Sequence, residues 1–109
     1  MSDLADRDCV PCRGGVPALE GDALEALLEQ LDPAWEIVND HHLVREFPFP
    51  DFSEALEFAN RVGALAESVN HHPELRVSWG KCRLIVWTHR INGLTETDFV
   101  FAAKAERLA

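Results

Sequence analysis

The sequence predicts an α+β two-layer sandwich, in which three helices cover one face of a four-stranded, mostly antiparallel sheet. Two observations carry this prediction. Two segments have apolar residues at helical spacing and a third begins with a helix cap, and between these segments lie two pairs of strand-like runs, each pair joined by a turn signal. The predicted order is therefore α-β-β-α-β-β-α, one helical layer on one sheet.

The first helix and the first hairpin follow from residues 24–47. A short apolar stripe with the spacing i, i+3, i+4, i+7 consists of Leu24, Leu27, Leu28 and Leu31. Pro33 ends this helix, and the run WEIV reads as a strand. Asn39 and Asp40 form a turn signal, after which HHLVREF returns as the second strand.

The long second helix gives the strongest signal and is predicted from Phe52 to Val69. Asp51 followed by Glu54 resembles a capping box, and Asn70 suits a C-terminal cap. The main apolar stripe consists of Ala55, Phe58, Ala59, Val62, Leu65, Ala66 and Val69.

The second hairpin and the last helix complete the chain. The run LRVSW alternates as a strand and makes Trp79 partly core, whereas CRLIVWTH is apolar nearly throughout and reads as a central strand. Asn92-Gly93 ends that strand, and Thr95 caps a helix that runs to the end. Trp35 and Trp87 are predicted as core residues.

Length and charge exclude several classes of protein. The 109 residues suffice for one domain. A net charge of −9, from 19 acidic and 10 basic residues, disfavours direct binding to nucleic acid. No apolar run reaches the length of a membrane span, and the polar N-terminus does not resemble a secretory signal, so we expect a cytoplasmic protein.

The N-terminal segment is predicted to be separate from the domain. Residues 1–18 read as a flexible leader, and residues 19–109 as the folded domain. The leader contains Cys9 and Cys12 in a C-x-x-C motif, which fits half a zinc site, a redox pair or chance. Because four ligands are usual and Cys82 lies in a predicted strand, no metal is expected.

The histidines near the end of the long helix draw attention, because the run NHHP places two side by side. Glu67 and His71 are four residues apart and share a helix face, while Pro73 turns His72 out of the helix. His89 ends a strand that approaches this corner if that strand pairs with LRVSW. The residues alone leave three interpretations open: polar ends of elements, a metal site, or acid–base chemistry without a metal.

A wider pattern supports the chemical interpretation. The runs ESVNHHPELRVSW and THRINGLTETD resemble the signature of the pterin-4a-carbinolamine dehydratase family, and the resemblance extends over residues from about 19 to 109. The positions that match the signature are Glu67, His71, His72, Pro73, Trp79, His89 and Asp98. The other histidine pair, His41 and His42, does not match it and is interpreted as hairpin surface.

The resemblance implies an activity and a site. Family members are hydro-lyases that dehydrate a 4a-hydroxytetrahydropterin, such as 4a-hydroxytetrahydrobiopterin, to a quinonoid dihydropterin, with no cofactor. It implies that His71 and His89 act as acid and base, that His72 positions the substrate, and that Glu67 belongs to the site. It also implies that Pro73 and the segment Thr88, His89, Arg90 and Ile91 line the pterin pocket. Asp98 is interpreted first as the N3 residue of a capping box and second as a polar pocket residue.

The resemblance also implies a homo-oligomer, either a dimer or a tetramer. Phe52, Leu56 and Gly63 lie beside the main stripe of the long helix, so its apolar surface is wider than one sheet covers. The first helix or the leader is an alternative cover for that face. Two other functions remain open, namely a pterin-binding or dimerisation protein that assists transcription, and a role in molybdenum-cofactor metabolism.

Overall fold

The computed structural model describes residues 4–9 and 17–109. It contains helices α1 (Asp22–Leu28), α2 (Phe52–Val69) and α3 (Glu96–Glu106), and strands β1 (Glu36–Val38), β2 (His42–Pro48), β3 (Glu74–Ser78) and β4 (Lys81–Val86). All neighbouring strands are antiparallel, in the order β1-β2-β4-β3. The predicted fold class and element order are confirmed.

One apolar core joins the helices to one face of the sheet. Alternate residues of the two central strands are buried in it, namely Leu43 and Phe47 of β2 and Cys82, Leu84 and Val86 of β4. The helices contribute Leu24, Phe58, Val62, Phe99 and Phe101 to the same cluster. Trp35 is 2% exposed and belongs to this core, as predicted. Burial also raises the pKa of the Cys82 thiol.

Helix α2 begins and ends where the sequence predicts. The carboxylate of Asp51 accepts a hydrogen bond from the backbone N–H of Glu54 at 2.9 Å, which satisfies one of the free donors of the first turn. At the other end Asn70 has a φ of 53°, in the left-handed region, and its N–H donates to the carbonyl of Ala66. This left-handed residue turns the chain sharply away from the helix axis.

The prediction that Trp79 is partly core is wrong, because Trp79 lies in the β3–β4 turn. The turn consists of Trp79 and Gly80, so Trp79 lies outside the strand whose alternation made it a core residue. Its side chain is 73% exposed. Gly80 has a φ of 74°, and its carbonyl accepts the N–H of Phe49 at 2.8 Å, which fixes the turn beside the entry to α2.

Residues 4–9 pack against α3, although the sequence predicts a loose segment there. Leu4 is fully buried, and the ammonium of Lys104 donates to the carbonyl of Ala5 at 2.9 Å. Arg107 also donates to Asp6 at 3.0 Å. This part of the leader is therefore joined to the domain. Cys12, the second cysteine of the C-x-x-C motif, lies with the rest of residues 10–16 outside the described residues.

No helix within residues 4–9 and 17–109 has both the length and the apolar character needed to span a membrane.

Candidate active site

A cleft of about 230 Å³ opens where the end of α2 meets the end of β4. Its walls come from the corner after α2 and from the segment after β4, and consist of Asn70, His71, His72, Trp87, Thr88, His89 and Arg90. The two segments meet because β3 follows the corner and pairs with β4, residues 74–78 with residues 81–85. His71 and His72 are neighbours in the sequence and His89 is distant from them, yet all three line one cleft.

His71 is held by a buried carboxylate. Its Nε2–H donates to Oδ1 of Asp98 at 2.6 Å, because an ionised carboxylate can only accept. Asp98 has no exposed surface, whereas 13% of the His71 side chain is exposed. With Nε2 engaged in this way, Nδ1 is the His71 nitrogen that remains for proton exchange with a ligand. Within the described part of the chain, Nδ1 has no hydrogen-bond partner.

Asp98 also fastens the start of α3. Its Oδ2 accepts the backbone N–H of Thr95 at 2.9 Å, which is half of a reciprocal capping box. The same oxygen accepts the hydroxyl of Thr88 at 2.7 Å. One carboxylate thus joins a helix N-terminus, the cleft segment after β4 and the corner that carries His71. The predicted capping role of Asp98 is observed, and the contact with His71 comes in addition.

His72 lies at the rim of the cleft and binds a different carboxylate. Its Nε2 pairs with Oε2 of Glu67 at 2.5 Å. Both side chains are more than half exposed, at 52% and 78%, so solvent screens this ion pair. The predicted pairing of Glu67 with His71 is wrong. The left-handed residue Asn70 ends the helix before His71, so the i, i+4 relation does not apply.

His89 stands on a short loop after β4. An isolated bridge between Thr88 and Gly93 closes this loop, and the N–H of Asn92 donates to the carbonyl of His89 at 3.2 Å. The imidazole of His89 is exposed and packs against the indole of Trp87, with 4.3 Å between the ring centroids. No hydrogen bond to the His89 ring occurs among the described residues. This imidazole is free to exchange a proton with a ligand.

The structure brings together most of the residues predicted for the site. His71, His72, Thr88, His89 and Arg90 line the cleft, whereas Glu67 touches it only through His72. Pro73, Ile91 and Asp98 do not form its walls. The sequence interpretation missed Asn70. Trp87 is half-buried and packs against the core, as predicted, and in addition it forms a wall of the cleft. Strand alternation gave no signal for this wall position, because Trp87 lies beyond the end of β4 at Val86.

The sequence interpretation of the second histidine pair as hairpin surface is incomplete. His41 and His42 are both half-buried and contact Trp87, at ring-centroid distances of 5.5 and 6.1 Å. They therefore lie directly behind a wall of the cleft. The sequence gives no local signal for this contact, because 45 residues separate His42 from Trp87 and only the pairing of β2 with β4 joins them.

Side chains in the cleft can donate and accept protons, and the groups that can do so are imidazoles. In residues 4–9 and 17–109 no group of three or more His, Cys, Asp or Glu side chains is placed to hold one metal ion. The arrangement is one imidazole fixed by a buried carboxylate, one at the rim paired with an exposed carboxylate, one exposed on a loop, and a guanidinium beside them. Such a site suits proton transfer to and from a small polar ring.

The fold and the cleft define an α+β domain with a histidine-lined site at one end of its sheet, and comparison with known proteins gives this class a family. Residues 17–108 match the profile of the pterin 4 alpha carbinolamine dehydratase family. The chain belongs to this family, which confirms the resemblance seen in the sequence.

Relatives of nearly the same length carry the family's name. One from Rubrobacter xylanophilus is 59% identical over 108 residues, covering 99% of this chain and 100% of the relative. Another, from Alkaliphilus metalliredigens, is 48% identical over 107 residues, covering 98% and 96%.

Solved structures share the fold. A transcriptional coactivator/pterin dehydratase from Brucella melitensis superposes with a TM-score of 0.78 at 32% identity, covering 84% of this chain and 98% of that one. A pterin dehydratase-like protein described as a RuBisCO assembly factor has a TM-score of 0.60 at 20% identity, covering 70% and 89%, and is similar in fold alone.

Proposed function

We propose that the protein catalyses the dehydration of a 4a-hydroxytetrahydropterin to the quinonoid dihydropterin, through proton transfers by His71 and His89. The observation that carries this proposal is the convergence of a carboxylate-bound imidazole and a free imidazole on one small cleft. Its volume lies below the roughly 300–1,000 Å³ of pockets for drug-sized ligands, which suits a compact bicyclic ring.

The reaction needs one acid and one base and is redox-neutral. The C4a–O bond breaks, and the departing hydroxyl takes a proton to leave as water. The neighbouring N5 loses its proton, and the electron pair of that N–H bond forms the C4a=N5 double bond. One proton enters and one leaves, so the reaction consumes no oxidant or reductant, and solvent restores both imidazoles for the next turnover.

The geometry favours a division of roles between the two histidines. The Asp98 carboxylate accepts from Nε2 of His71 and leaves Nδ1 for the ligand, so we assign His71 as the acid that protonates the hydroxyl through Nδ1. His89 has no carboxylate partner among the described residues and accepts the N5 proton. His72 and Arg90 line the cleft beside them and donate hydrogen bonds to the polar edge of the pterin ring.

The direct test is a stopped-flow assay on freshly generated 4a-hydroxytetrahydropterin. We expect the purified protein to accelerate dehydration over buffer, and to do so equally after treatment with a chelator, because proton transfer alone suffices. The matched control is the double variant His71→Gln, His89→Phe, which preserves the shape of the cleft. No acceleration would contradict the proposal, and activity that disappears on chelation and returns with zinc would contradict the metal-free mechanism.

The other candidate functions use the same cleft or another surface. A role in molybdenum-cofactor metabolism needs the same pterin pocket, so only comparison of substrates separates it from pterin recycling. A role as an assembly or coactivator protein needs a partner surface and no turnover. The dehydration assay distinguishes this last role from the enzyme, and the converging histidines favour the enzyme.

We infer in addition that two or more copies of the chain associate through α2. Phe52 and Leu56 are 43% and 42% exposed and lie beside the buried stripe of the helix. Gly63 lies on the same face, and a Cβ built there meets no atom within 4 Å. Residues 4–9 pack on α3. We call Phe52, Leu56 and Gly63 the α2 patch; a second copy is its proposed cover.

Light scattering coupled to size exclusion tests the association. We expect the wild-type protein to elute at the mass of a dimer or tetramer, and Leu56→Lys to shift it toward smaller species, because a buried ammonium is costly. The matched control is Gln30→Lys, which adds the same charge on exposed surface beyond α1. A wild-type monomer at micromolar concentration would contradict the inference, as would an oligomer unaffected by Leu56→Lys.

A further inference from the structure

The proposed reaction leaves the second histidine pair without a role, although both rings touch the wall of the cleft. The imidazoles of His41 and His42 contact the indole of Trp87. The same indole contacts the imidazole of His89, with 4.3 Å between the ring centroids. One aromatic ring therefore connects the β1–β2 hairpin with a proposed catalytic group.

A hydrogen bond provides a second connection between the hairpin and the loop of His89. The Nε2 atom of His41 lies 2.8 Å from Oδ1 of Asn92, in the loop that Thr88 and Gly93 close. The backbone N–H of Asn92 donates in turn to the carbonyl of His89. Asn92 has a φ of 54°, so its own backbone defines the shape of the loop. His41 thus holds the residue that shapes this loop.

The positions of the protons follow from these contacts. An amide oxygen only accepts, so Nε2 of His41 carries the hydrogen that binds Asn92. Nδ1 of a neutral His41 then accepts, and His42, whose Nδ1 lies 3.0 Å away, donates to it. Two imidazolium rings would place hydrogens on both Nδ1 atoms, and the contact would break.

The surroundings of His42 disfavour a charge on its imidazole. Burial lowers the pKa of His42, and His41 and the Arg83 guanidinium of β4 lower it further, whereas Glu74 of β3 acts in the opposite direction. The contact needs a hydrogen on Nδ1 of His42 and none on Nδ1 of His41, so it tolerates at most one charge in the pair. The pair is therefore a fixed hydrogen-bonded support.

The geometry points to His41 as a positioning residue for His89: through Asn92 and Trp87 it holds the loop of residues 88–93 so that the His89 imidazole stays at the cleft. This inference rests on the proposed function, which gives His89 its task. His41 does not line the cleft. It acts on the orientation of His89, and its removal should lower the rate of the chemical step more than the affinity for the pterin.

A double-mutant cycle tests the connection. His41→Leu removes the donor, and Asn92→Gly removes the acceptor while tolerating the positive φ. His41→Gln restores a donor near the place of Nε2. The control is Asp40→Gly, which removes the side chain from a neighbouring residue with a φ of 53° and an exposed position in the same hairpin turn.

We expect each single variant to lower kcat by about 3- to 30-fold with little change in KM, a range typical of residues coupled in one hydrogen-bond network. The double variant should lose no more than the more affected single one, and His41→Gln should recover most of the loss. Asp40→Gly should resemble wild type. Fully additive losses, or losses that His41→Gln does not reduce, would overturn the positioning role.

A measurement without turnover separates this inference from the proposed function. The ring current of Trp87 should shift the NMR signals of the His89 ring protons upfield. His41→Leu and Asn92→Gly should each reduce that shift. If the wild-type protein has no dehydratase activity but the shift responds in this way, the proposed function fails and the support of His89 stands. If activity is present and both variants leave the His89 resonances unchanged, the inference is wrong.

Discussion

Replacing His71 or His89 is expected to lower dehydratase turnover by about 10²–10⁴-fold, the usual contribution of a general acid or base. The two side chains supply the only transfers that the reaction requires. His71→Gln keeps a donor toward Asp98, and His89→Phe keeps a ring against Trp87, so both variants remove the proton transfer while leaving the contacts of the fold largely in place. The measurement is single-turnover stopped-flow kinetics at several pH values.

Control variants make this expectation specific. Asn60→Ala changes an exposed residue of α2 outside the cleft and should retain wild-type turnover. His41→Ala and His42→Ala should lose much less than the two catalytic variants, because these histidines stand behind the cleft wall. Equal losses in all four histidine variants would show that the site is assigned incorrectly, and so would full activity of His71→Gln.

The sequence predicted the elements well because their signals are local. The bounds of α2 follow from Asp51 at one end and Asn70 at the other, and the observed helix has the predicted limits. Strand β4 ends at Val86, although the predicted strand continued to His89. The apolar run continues past the sheet because Trp87 serves as a wall of the cleft, where an apolar side chain is also suitable.

The errors concern what happens after an element ends. Periodicity put Trp79 on the core face of β3, but Gly80 turns the chain immediately after it and leaves the indole exposed. Helical spacing paired Glu67 with His71, but Asn70 redirects the chain so that His71 meets a carboxylate 27 residues away. A sequence pattern identifies the cap and gives no direction for the residues beyond it. The partner of His71 depends on how α3 packs beside the corner.

Asp98 is the residue on which the fold and the proposed chemistry depend together, and its replacement by alanine should be strongly destabilising. Three donors would lose their acceptor at once: the imidazole of His71, the hydroxyl of Thr88 and the backbone N–H of Thr95. Lost capping and unsatisfied buried groups together cost about 2–4 kcal/mol. Since about 1 kcal/mol shifts Tm by roughly 4–8 °C in a domain of this size, calorimetry should record a fall on the order of 10–20 °C.

Asp98→Asn separates the chemical part of this role from the structural part. The amide oxygen can still accept from Thr88 and Thr95, so we expect most of the stability to remain. Its NH₂ group must then face His71, where it needs an acceptor, and the imidazole has to move its hydrogen from Nε2 to Nδ1. In that tautomer the Nδ1 hydrogen is the only one on the ring, so giving it to the departing hydroxyl would leave an imidazolate beside a neutral amide, which makes His71 a very poor acid. Turnover should therefore fall by about 10²-fold or more, an effect of the size that loss of a carboxylate partner has on a catalytic histidine. Thr95→Val is the matched control, because it removes a hydroxyl that faces the same carboxylate at 3.5 Å from outside the cleft walls and leaves the His71 contact in place. If Asp98→Asn has wild-type turnover, the buried carboxylate only caps α3, and the acid role of His71 loses its physical basis.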